Sequence, residues 1–139
     1  MIRFTRFFLF VIGALLIISS CFTEHEKSIK NAIGPGYSLY EKNCLKCHGK
    51  YGQGVEGIYP PLNNKEYFES KLNQVPKIIK YGLKGMVEVN GKSYFAPMPA
   101  HQKLTNLEIS HIINFIQLTF NGNQNFVNQN YVDSCLTVK

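Results

Sequence analysis

The pentapeptide Cys44-Leu45-Lys46-Cys47-His48 constrains this chain more than any other feature. Its two thiols are spaced about one helical turn apart, and a histidine follows at once. C-x-x-C-H is the attachment signature of c-type haem: the thiols add to the two porphyrin vinyls, and the adjacent imidazole reaches the iron. Two rival chemistries use similar residues. A thioredoxin-like redox pair needs a βαβ setting, and the flanks here are helical in pattern with no preceding strand. A zinc site needs a second ligand pair at short spacing. His101 and His111 are ten residues apart, outside the usual window, and Cys21 and Cys135 fall in a tether and a tail. The spacing predicts one covalent haem c.

Composition narrows the rest. At 139 residues the chain is about one domain long, and 45% hydrophobic content excludes a disordered or fibrous protein. The net charge is +6, but the only arginines are Arg3 and Arg6. Past residue 20 the net is +4, carried by lysine alone. Without Arg, and with no basic-aromatic cluster, nucleic acid is not an expected partner. Four cysteines are too few and too scattered for a disulfide scaffold. No paired-carboxylate signature or nucleophile elbow is present, so no small-molecule substrate is expected and the chain reads as a non-enzyme.

Arg3 and Arg6 precede an apolar run from Phe7 to Ile18. As a helix this run rises about 18 Å, short of a hydrocarbon core of roughly 30 Å, so residues 1–20 read as a secretory signal peptide. Ile18-Ser19-Ser20-Cys21 resembles the bacterial lipobox, which implies cleavage before Cys21 and its lipidation. More than one acyl chain holds a protein stably on a membrane. Residues 21–34 are polar and without apolar period, a tether with a reach of about 20 Å. The expected organisation is completed by a folded domain over 35–122 and a tail over 123–139.

From about Gly36 to Gln117 the sequence resembles the class I cytochrome c family, in particular its small bacterial mono-haem members. Gly36, Tyr40 and Cys44 share one helix face, and in the family the small and aromatic residues of that face pack on the last helix. Pro60-Pro61-Leu62 follows the haem motif as in the family. The resemblance implies that the Pro60 carbonyl accepts a hydrogen bond from His48 and that Leu62 presses on the porphyrin edge. Met98, in Pro97-Met98-Pro99, matches the family's ligand loop. Prolines on both sides also forbid a regular helix there and suit a loop that delivers one side chain.

Met86 is expected as filler beneath a hairpin turning at Asn90-Gly91. His101, three residues after Met98, is expected as a surface side chain, with a rival-ligand role as the alternative. Lys65 to Ser70 has a helical look; a further helix follows Asn73, with Pro76 in its first turn and Gly82 past its end. Thr105-Asn106-Leu107-Glu108 is a capping box opening the clearest helix, with Leu107, Ile109, Ile112, Ile113 and Ile116 mostly on one face, Phe115 flanking it and expected near Tyr40. Gly122 ends it, and a short tail helix carries Cys135 as a small buried residue, the alternative being a free reactive thiol or an intermolecular disulfide. The fold expected is all-α: a small cytochrome c fold of three to five helices around one haem, with a short β-hairpin before the Met98 loop. With no Arg past residue 20, Asn64, Lys65 and Tyr94 are the guesses for holding the haem propionates.

The function implied is single-electron transfer between membrane-associated respiratory partners, such as an oxidase, a reductase or a quinol-oxidising complex, on the periplasmic side of a bacterial membrane. His48 and Met98 would ligate the iron, and Lys42, Lys46, Lys50 and Lys103 are candidates for steering. Two alternatives remain open: an electron-input subunit of a larger complex, and a haem sensor or peroxidase-like protein with labile Met98.

Overall fold

A computed structural model describes residues 33–137. The signal, the lipobox Cys21 and nearly all of the tether lie outside the described residues. Helix α1 occupies 33–43 within them, so Ile33 and Gly34, assigned above to the tether, are helical. It is followed by α2 (Leu45–His48), α3 (Lys65–Ser70), α4 (Val75–Tyr81), β1 (Val87–Val89), β2 (Lys92–Tyr94), α5 (Asn106–Asn121) and α6 (Gln129–Thr137). The six helices among the described residues include α2, a single turn parted from α1 by Cys44 alone. None of the described helices is long and apolar enough to cross a membrane.

Helix α5 is the spine. Its Thr105 hydroxyl accepts a bond from the Glu108 amide at 3.2 Å, and the Glu108 carboxylate accepts from the Thr105 amide at 2.8 Å, a reciprocal cap. Ile109, Ile112, Ile113 and Ile116 are buried along one face. Leu107 is not among them and is 47% exposed. Two residues before Ile109, it sits about 200° around the helix and points away from the core.

Gly36 lets α1 cross α5 at contact distance. A Cβ there would lie 2.4 Å from the His111 carbonyl oxygen and 2.7 Å from the Phe115 Cβ. Around this crossing Phe115 meets Tyr37, Tyr40 and Phe120 with ring centroids 5.8, 5.2 and 5.3 Å away. Each such pair adds about 0.5–1.5 kcal/mol beyond its buried area. The Tyr40 hydroxyl donates to the Gly49 carbonyl at 2.7 Å and ties the end of α2 to this cluster.

Helix α3 is capped by the Asn64 side chain, which accepts from the Tyr67 amide at 2.9 Å. Helix α4 starts at Val75 without a side-chain cap, Pro76 lies in its first turn, and Gly82 ends it. The hairpin pairs Val87 with Tyr94 and Val89 with Lys92, turning through Asn90 and Gly91, both at positive φ. Its Lys92 meets Glu56 at 2.8 Å, but both side chains are well exposed, so the pair contributes little.

The segment after α5 is strapped down by amides. Asn114 donates to the Val127 carbonyl at 2.9 Å and accepts from the Val127 amide at 2.8 Å, as a strand partner would. Gln117 donates to the Asn125 carbonyl at 3.0 Å. Helix α6 then packs on α4 and α5 through a fully buried Val132, with Asn106 bonded to Asp133.

Two stability predictions follow from this packing. Alanine normally favours a helix over glycine by about 1 kcal/mol, yet Gly36→Ala should destabilise by about 1–3 kcal/mol because α5 has no room to yield. Denaturant melts of the haem-loaded protein give the sign, and a stabilised variant would refute the close crossing. The Thr105 bonds hold the Glu108 carboxyl below its ordinary pKa. A carboxyl lowered in the folded state stabilises above its unfolded pKa, and that contribution is lost as pH falls through the folded one. Thr105→Ala should therefore cost about 1 kcal/mol at neutral pH and less below about pH 4, as paired melts would report.

Candidate functional site

The site begins where α1 passes into α2. Cys44 leaves the helical well at φ −124°, yet its amide still bonds to the Tyr40 carbonyl at 2.8 Å, so the chain turns without unravelling. Cys44 is 8% exposed, and burial, assisted by neighbouring Cys47, pushes its thiol up to about 12. That is the opposite of the lowered thiol of an activated redox pair.

His48 is equally buried. Its Nδ1–H donates to the Pro60 carbonyl at 2.9 Å. The Pro60 segment is held in turn: Leu62 donates its amide to Gly52 at 2.6 Å, and Gly54 donates to the His48 carbonyl at 2.8 Å. Burial lowers the His48 pKa; the Pro60 bond opposes this, and the charge of His101 adds to it. The ring is thus favoured neutral with Nδ1 engaged, which leaves Nε2 as the nitrogen for a metal.

A second wall comes from α4 and the loop that carries Met98. Leu83 and Met98 form a two-bond bridge, Leu83 amide to Met98 carbonyl at 3.1 Å and Met98 amide to Leu83 carbonyl at 2.9 Å. Gly82 makes this approach possible. It stands at φ 77°, and a Cβ on it would lie 2.6 Å from the Met98 carbonyl oxygen. Beyond Met98, the His101 amide donates to Ile79 at 3.0 Å and Lys80 Nζ donates to the Leu104 carbonyl at 2.7 Å. Four bonds therefore fasten the loop to the end of α4.

Between these walls lies a cavity of about 500 Å³. Cys44, Cys47, His48, Pro60, Leu62 and Met98 all line it, and much of the remaining surface is apolar, including Ile78, Ile79 and Leu83. The volume falls within the range of about 300–1,000 Å³ typical of ligand sites. Two thiols, a neutral imidazole, a thioether and an apolar lining fit an iron porphyrin.

Residues 33–119 match the protein-family model described as Cytochrome c. The chain belongs to the cytochrome c family. It is a class I member, as the motifs at Cys44 and Met98 imply, and the family's cofactor is haem c, held covalently, here with Cys44 and Cys47 as the thiols. Cytochrome c-552 of Thermus thermophilus is 33% identical over 85 residues, covering 58% of this chain and 64% of that protein. A second cytochrome c-552 of the same species matches at the same identity, over 57% of its length. The chain spans less than two thirds of either relative.

Other expectations were redrawn by the structure. Met86 lines the cavity and is 61% exposed rather than packed beneath the hairpin; it lies between Gly85, at φ 94°, and β1. His101 is half-buried and faces the cavity instead of solvent. Of the residues suggested for the propionates only Tyr94 lines the cavity, while the Asn64 carbonyl oxygen is spent on capping α3. Tyr59, in a bridge to Val55 that the sequence reading did not mark, and Tyr67, on the expected helix α3, also line it. Cys135 is half-buried on α6, away from the cavity.

A bound porphyrin would add apolar burial that so small a domain otherwise lacks. Covering about 400 Å² at roughly 25 cal/mol/Å² is worth about 10 kcal/mol at most, against a total of about 5–15 kcal/mol for a typical domain. Cys44→Ser with Cys47→Ser should give a largely unfolded product. A cooperative far-UV melt in that double variant would overturn this account.

Proposed function

We propose that this protein carries single electrons through one haem c, whose iron His48 and Met98 would hold. Haem-based electron transfer is what the family implies. One observation carries the finer reading: both side chains line one cavity, from two elements that are each pinned through backbone bonds. Held by both residues, the haem iron would be closed to oxygen and peroxide, and the Met98 thioether would raise its potential relative to two nitrogens. The chain's own part is mechanical and electrostatic. Pro60 fixes the imidazole plane, Leu83 and Gly82 fix the Met98 backbone, and Ile78, Ile79 and Leu62 keep water out. Rigid ligands hold the reorganisation cost of each electron exchange down.

The chain's setting belongs to the same reading. Arg3, Arg6 and the Phe7–Ile18 run are proposed as an export signal, and Cys21 as a lipidated residue that tethers the domain outside the cytoplasm. The partners are then redox proteins at the same membrane surface: an oxidase, a reductase or a quinol-oxidising complex. Lysines such as Lys46 and Lys50, both exposed or nearly so beside the haem motif, support encounter with an acidic face.

Optical spectra of the haem-loaded protein test the ligand set. A sulfur-to-iron band in the far red is expected in the ferric protein, and it should vanish in Met98→Ala. The ferrous unmutated protein should not shift with carbon monoxide. Ready uptake by the unmutated protein would replace this reading with a sensor or catalytic one.

A further inference from the structure

His101 is the residue the proposed function leaves without a role. It follows Met98 by three positions, is half-buried, and lines the same cavity as His48. Its backbone amide is anchored on the Ile79 carbonyl at 3.0 Å, so the residue is held at the cavity wall whatever its neighbour does. Its ring takes no hydrogen bond among the described residues. An imidazole without a hydrogen-bond partner, lining a cavity that fits an iron porphyrin, is a ligand-type group at the metal's own site.

We infer that His101 is a reserve axial ligand, which takes the sixth position of the iron when the Met98 sulfur leaves it. This inference rests on the His48 and Met98 reading above. The loop is built to allow the exchange. Met98 is held by the two bonds to Leu83, and His101 separately by the bond to Ile79. Releasing the first pair frees the thioether and leaves the second in place as a pivot. The closeness of the two histidines is also felt electrically, since the charge of His101 contributes to the lowered pKa of His48.

Chemistry favours His101 over the other basic group at the cavity, Lys71. An imidazole offers a lone pair near neutral pH, whereas an ordinary lysine must first lose a proton held up to about pH 10. Imidazole nitrogen also suits iron well. Ferric iron, the harder ion, prefers nitrogen, and ferrous iron accepts the softer sulfur. The exchange would therefore respond to the redox state, and two nitrogens lower the potential relative to His48 with Met98.

The test compares haem-loaded Met98→Ala with Met98→Ala/His101→Ala, by ferric electron paramagnetic resonance and by carbon monoxide uptake in the ferrous state. The single variant should be low-spin with a two-nitrogen signature. Its carbon monoxide uptake should be at least tenfold slower than that of the double variant, which should be high-spin. A single variant that is high-spin and takes up carbon monoxide as fast as the double variant overturns the inference. A low-spin signal that survives in the double variant overturns it too, and moves the ligand to another group such as Lys71. Met98→Leu, alone and with His101→Ala, repeats the comparison with side-chain volume kept, should the alanine variants fail to fold. An unmutated protein without the far-red sulfur band overturns the Met98 reading instead, and the variant pair still decides on His101.

Discussion

A domain of about a hundred residues that keeps a cavity of about 500 Å³ must hold two walls apart while having little core to spare. Interiors are otherwise packed as tightly as organic crystals, and here the porphyrin would be the packing partner of the cavity lining. Everything else in the fold answers that constraint. The wall bearing Cys44, Cys47 and His48 is seated on α5 through the Gly36 crossing and the aromatic cluster of Tyr40, Phe115 and Phe120. The wall bearing Ile78, Ile79 and Met98 is seated on α5 and on the tail helix α6. The spine is common to both, so the spacing between them is set by helix packing and needs no contact across the hollow.

His48 and Met98, the proposed ligands, are held through backbone groups as well as by the packing of their side chains. His48 is oriented by a carbonyl twelve residues away, and Met98 by a short bridge to a residue at the end of α4. Backbone bonds suit this role because they fix a segment without occupying the space meant for the cofactor. Outside the hairpin, several donors and acceptors of the segments 52–62 and 82–101 are committed to such bonds.

Much of this was legible beforehand. The haem motif, the proline-flanked Met98, the capping box at Thr105 and the Asn90-Gly91 turn are local signals, and each marks a local structure by its own chemistry. Periodicity served less well where it was read as a list: Leu107 was placed with the isoleucines although a helix turns it to the far side. The buried amides were missed altogether. Asn114 and Gln117 look like solvent-facing positions on α5, and only the returning chain gives them carbonyls and amides to bond. His101 was assigned to the surface for a similar reason. Three residues beyond a loop methionine, its direction depends on how the loop is pinned to α4, and that pin is made to Ile79, twenty-two residues earlier.

By itself, the sequence determined the cofactor, the thiols that hold it, the imidazole beside them and the helix that forms the spine. Those follow from spacing over a few residues, where covalent geometry and the helical repeat leave little freedom. The tertiary structure alone decided which residues face the cavity, that a second histidine joins Met98 there, and that an asparagine-rich tail lies bonded against α5. Such outcomes depend on which distant backbone groups meet, and hydrogen bonds between them are set by the packing of whole elements rather than by any local pattern.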